Sequence, residues 1–64
     1  MSEKIRAEIV PYSSVVGQSV TLIGAGGEAV AQLAILIPAG PPPGEDHRQY
    51  SGRIAKFVAD RINT

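Results

Sequence analysis

Apolar and polar residues alternate strictly over residues 4–10, Lys-Ile-Arg-Ala-Glu-Ile-Val. Ile5, Ala7 and Ile9 fall on one side of that segment, and Lys4, Arg6 and Glu8 on the other. A period of two belongs to a strand with one wet face. Pro11 has no N–H, so regular pairing is expected to end there. Pro11, Tyr12, Ser13 and Ser14 then read as a turn or bend.

Residues 15–37 are the apolar heart of the chain. The pattern predicts a hairpin, with strands near 18–24 and 29–37. Gly24, Ala25, Gly26 and Gly27 form its turn and supply positive φ. In the second strand Ala31, Leu33, Ile35 and Ile37 share one face, and Val30, Gln32, Ala34 and Leu36 the other. Both sets are largely apolar, which predicts a strand covered on both sides. Residues 38–44, Pro-Ala-Gly-Pro-Pro-Pro-Gly, suit neither strand nor helix and read as a short, stiff, polyproline-like connection.

A helix is predicted over residues 46–62. Asp46 followed by Gln49 has the spacing of a capping box. Tyr50, Ile54, Phe57, Val58 and Ile62 recur at intervals of three and four, and share a face with His47 and Ser51. Ala55 and Ala59 widen that face to about 200°, where covering a small sheet needs only about 100°. The surplus is a ridge of small residues spaced by four, Ser51, Ala55 and Ala59. Such a ridge lets another backbone approach closely, so these residues, with Leu36, are the expected oligomer interface. The fold class expected is α+β: a two- to three-stranded antiparallel sheet packed by one C-terminal amphipathic helix, forming a single module over residues 1–64.

Size sharpens the expectation of self-association. The chain has 64 residues, of which 44% are apolar, which argues for a folded domain and against disorder. Chains below about 70–80 residues rarely bury a core worth more than about 3–5 kcal/mol, and commonly add disulfides, a metal or a partner subunit. There is no cysteine. With His47 as the one histidine, a zinc site built on several His or Cys ligands cannot form within one chain. A homo-oligomer, most simply a dimer, is what elimination leaves.

Charge and hydropathy exclude further classes. Six basic residues balance six acidic ones, so the basic footprint of a nucleic-acid binder is missing. No apolar run approaches the roughly 20 residues of a membrane span. Met1, Ser2, Glu3 and Lys4 lack the basic-then-apolar plan of a signal peptide. The expectation is a cytoplasmic protein without nucleic-acid or membrane partners.

Residues 20–29, Val-Thr-Leu-Ile-Gly-Ala-Gly-Gly-Glu-Ala, carry a β run followed by G-x-G-x-x-A. This resembles the dinucleotide-binding fingerprint of Rossmann enzymes, whose glycines let the backbone approach a pyrophosphate at a helix N-terminus. The resemblance implies a helix after the glycines, and residues 28–34 have the propensity to form one. A hairpin turn is the competing reading, favoured because a proline-rich break follows where a second parallel strand would be needed. A helix at 28–36 would support the cofactor, and a strand there would end it. The expected cofactor is none.

Other chemistry is sparse. Without a cysteine or G-x-S-x-G, and with His47 alone as an imidazole base, nucleophilic catalysis lacks its parts. Ser13, Ser14, Ser19 and Ser51 suit turns and local backbone bonds. Glu45, Asp46 and His47 are adjacent at a helix start and do not face one point, so no metal site is expected. Candidate ligand- or partner-binding residues are Tyr12, His47, Arg48, Tyr50 and Arg53. They combine amphipathic rings with cations near free helix N–H groups, a combination that could recognise a small anion between chains.

The layout of short strand, glycine-turned hairpin and terminal helix ends in residues 51–63, Ser-Gly-Arg-Ile-Ala-Lys-Phe-Val-Ala-Asp-Arg-Ile-Asn. In size and layout it resembles small uncharacterised proteins of bacteriophages and prophages. That resemblance implies an accessory role: occupying a host protein, or sequestering a small molecule. The expected function is a non-enzymatic, oligomeric binding protein that blocks or titrates a host partner. A nucleotide- or anion-sequestering protein with an inter-chain site is the alternative.

Overall fold

A computed structural model describes residues 4–64; the signal-peptide reading of Met1, Ser2 and Glu3 lies outside the described residues. Three strands, β1 (Arg6–Ser13), β2 (Gly17–Ile23) and β3 (Ala29–Ala34), form an antiparallel sheet in the order β1-β2-β3. One helix, α1 (His47–Asn63), follows. The layout is α+β, as the periodicities predict. Among the described residues no helix is long and apolar enough to cross a membrane.

The β1–β2 hairpin has a strong local cause. Ala7 pairs with Leu22 and Ile9 with Val20, so apolar positions meet on one face. Pro11 disturbs the ladder without ending the strand: the register shifts between Val10 and Ser13, as an irregularity beside a missing N–H requires. The reversal itself falls at residues 14–16, and Gly17 closes it at φ 78°. The turn therefore sits later than the proline suggests.

The glycine-rich segment is a hairpin turn. Gly24 N–H donates to the Glu28 carbonyl at 2.9 Å and Gly27 N–H to the Gly24 carbonyl at 3.0 Å. Gly27 takes φ 87°, a conformation that glycine adopts without a Cβ penalty. A strand, not a helix, follows at residues 29–34. The Rossmann-like fingerprint at 24–29 thus lacks the helix whose N-terminus would hold a pyrophosphate, and the dinucleotide reading is withdrawn.

The core is narrow. Ala7, Val20, Ala55 and Ala59 form its buried centre, with Leu22, Ile35 and Ile62 packed around them. The helix lies on β1 and β2. All six residues of β3 are exposed, which corrects the expectation of a strand covered on both sides: one helix is too narrow to roof three strands. The chain exposes 4729 Å² for a mass of 6.7 kDa, about 20% above the ~3900 Å² that surface–mass scaling gives for a folded monomer of this size.

The small-residue ridge also needs correction. Ser51, Ala55 and Ala59 are 2%, 0% and 4% exposed within the single chain. Their small side chains bring the helix backbone close to its own sheet, so they are not a free surface for a partner. Phe57, expected on the core face, is 63% exposed, because the helix turns its small residues inward and leaves the ring on the flank beside Arg61.

The connection after β3 makes two turns where a stiff rod was expected. Gly40 N–H donates to the Ile37 carbonyl at 3.1 Å and Glu45 N–H to the Pro42 carbonyl at 3.2 Å. Gly40 and Gly44 have positive φ. The second turn delivers the chain to a complete capping box: Gln49 N–H donates to Asp46 Oδ1 at 2.7 Å, and Asp46 N–H to Gln49 Oε1 at 3.3 Å.

Candidate functional site

An open, mostly apolar groove of about 530 Å³ lies where three segments meet. The end of β1 supplies Tyr12, the turn after it Val16, the residues after β3 supply Leu36 and Pro38, and the helix start supplies His47 and Ser51. Its rim is apolar and bare: Val16 is 67% and Leu36 81% exposed. Leu36 is therefore accessible, unlike the other three residues expected at an oligomer interface.

Gln18 lines the inner wall. It is only 5% exposed, and its amide nitrogen donates to the carbonyls of Val10 at 2.6 Å and Ser19 at 3.2 Å. A buried amide satisfied in this way fixes the strand irregularity next to Tyr12. The sequence pattern gave no hint of Gln18, because a polar residue at the start of a predicted strand reads as wet.

The five candidate residues fall into two groups. Tyr12 and His47 line the groove, and the Arg48 guanidinium lies 5.5 Å from the Tyr12 ring centroid. Tyr50 instead lines a smaller hollow of about 280 Å³, shared with Leu36, Pro38 and Ile54. There Arg53 sits 5.1 Å from the Tyr50 ring centroid. The five do not converge on one point.

Electrostatics argue against an anion cradle here. Arg53 Nη2 donates to Glu45 Oε1 at 2.5 Å, so its charge is met within the chain. The helix start is occupied by the Asp46 carboxylate, which already fills the place an anion would take. Arg48 is engaged with the Tyr12 ring, a cation–π contact.

The hydroxyl nearest His47 is also committed. Ser51 Oγ donates to the His47 backbone carbonyl at 2.7 Å, with the Arg48 carbonyl at 3.3 Å. Ser51 thus serves the helix backbone. Among the described residues no group of three or more His, Cys, Asp or Glu side chains gathers in a metal-binding cluster. What the arrangement offers is apolar contact area edged by two rings and a few donors.

Comparison with protein-family models, curated proteins and solved structures gives no significant match.

Proposed function

We propose that this chain is a small non-enzymatic binding protein, working as a homo-oligomer, that occupies a partner protein through the groove beside Tyr12. The observation that carries the reading is the bare apolar rim, Val16 and Leu36, next to an aromatic ring and His47. Contiguous exposed apolar surface on a small domain marks contact sites. A concave apolar surface with a few polar groups suits insertion of a partner's side chain. The anion-sequestering alternative is the weaker reading, since Glu45 and Asp46 supply the negative charge that Arg53 and the helix start would otherwise seek. The resemblance in size and layout to small phage proteins would make a host protein the partner.

The test is retention of one protein species from a bacterial lysate by the tagged chain, compared with Val16→Glu and Leu36→Glu. Both substitutions fall on exposed positions, so circular dichroism is expected to stay unchanged. A species held by the native chain and released by both variants supports the proposal. Equal retention by all three, or none by the native chain, contradicts it.

A further inference from the structure

The sheet has two edges, and the chain treats them differently. At β1, both outward backbone groups of Ala7 are capped by a side chain. Ala7 N–H donates to Asn63 Oδ1 at 2.7 Å, and Asn63 Nδ2 donates to the Ala7 carbonyl at 3.0 Å. The same strand carries Pro11, which has no N–H to offer, and the charges of Arg6 and Glu8. These are the devices by which natural sheets block edge pairing.

None of them is present on β3. Its sequence, Ala-Val-Ala-Gln-Leu-Ala, has no charge and no proline, and every residue is exposed. Its alignment fixes which backbone groups are free. Ile35 N–H donates to the Gln18 carbonyl at 2.9 Å, and Leu33 pairs with Val20. Bonded and non-bonded pairs alternate along an antiparallel ladder. Leu33 and Ile35 therefore point their backbone groups at β2, and Gln32 and Ala34 point theirs outward.

We infer that β3 is the surface through which two copies of this chain pair, edge to edge and antiparallel about a two-fold axis, into one sheet of three strands from each chain. The inference rests on the self-association part of the proposed function and names its interface. An isologous interface must be self-complementary. A neutral strand of small and aliphatic residues meets that condition, because no like charges oppose one another. On the helix side, Leu33 at 39% exposure has no helix above it, and a second β3 would lie beside it. The blocked β1 edge closes the assembly at two chains, since pairing cannot propagate through Ala7 and Pro11.

In such a two-fold pair one residue of β3 lies opposite its own copy, at a position from Val30 to Ala34. The chain has no cysteine, so each position can carry a unique thiol. The experiment oxidises Val30→Cys, Ala31→Cys, Gln32→Cys, Leu33→Cys and Ala34→Cys, with Glu8→Cys on β1 as control, and measures the mass of the native chain and of Ala34→Pro. That proline removes an outward N–H and no bond to β2. Ala34→Lys, which keeps the backbone donors, serves should the proline variant unfold.

The expected result is a native chain of twice the monomer mass and a covalent dimer from at least one β3 cysteine. Glu8→Cys should give none, and Ala34→Pro or Ala34→Lys should be a folded monomer. A native dimer with no β3 cross-link above the Glu8→Cys level overturns the edge inference and leaves self-association standing. A native monomer overturns both. Growth beyond two chains overturns the closed pairing in favour of open strand addition.

Discussion

Asn63, the last residue of the helix, holds Ala7 by both of its outward backbone groups, as a neighbouring strand would. One amide side chain thereby joins the end of the chain to the start of the sheet and closes an edge. Each such bond contributes about 1 kcal/mol net, more where its loss leaves a partly buried group without a partner. Asn63→Ala is expected to cost about 2 kcal/mol, read as a fall in the urea midpoint. Asn63→Asp should not rescue it. A carboxylate cannot donate to the Ala7 carbonyl, and its charge at a helix C-terminus is unfavourable.

Val20 is fully buried at the centre of the core. Val20→Ala removes two methyl groups and leaves a cavity, a cost of about 2 kcal/mol. Against a total of about 3–5 kcal/mol for a core this small, the variant should lose about half of its stability. Thermal unfolding followed by circular dichroism checks this, and a change within error of the native chain would contradict the packing described.

Ala55 separates the two readings of the small-residue ridge. It is fully buried against the chain's own sheet, so Ala55→Leu should overpack the core and destabilise the fold by about 1–3 kcal/mol. Had the ridge faced a partner, the same change would alter association and leave folding stability alone. Urea melts at several protein concentrations distinguish the two.

Gly27 is held at φ 87° with open space where a Cβ would stand. Gly27→Ala therefore probes backbone conformation with no clash, at an expected cost of about 1 kcal/mol. Asp46→Ala removes the helix cap, for about 0.5–2 kcal/mol. The two sites share no partners, so the double variant should show the sum of the single effects.

Much of the fold is legible in the sequence because its signals are local. Alternation places Ala7 and Ile9 on the face that meets Val20 and Leu22. The spacing of Asp46 and Gln49 encodes the cap, and the four glycine-region residues after Ile23 encode a turn. The misreadings share a physical cause: they concern which surface covers which. Apolar residues on both faces of β3 suggested cover from above and below, yet the helix reaches only β1 and β2. The same limit hid the burial of Ser51, Ala55 and Ala59, since small residues serve a close intrachain approach as well as a partner. Of the site, Tyr12, His47 and Arg48 come together. Gln18 was missed, because its burial depends on a strand irregularity that no periodicity records.

On the proposed pairing, an unroofed sheet on a small, unstapled chain is completed by a second copy. Sedimentation equilibrium of the native chain at micromolar concentration tests it most directly. Edge pairing gives a reversible dimer of twice the 6.7 kDa chain mass, with thermal stability that rises with protein concentration. A stable monomer whose melting is independent of concentration would contradict it.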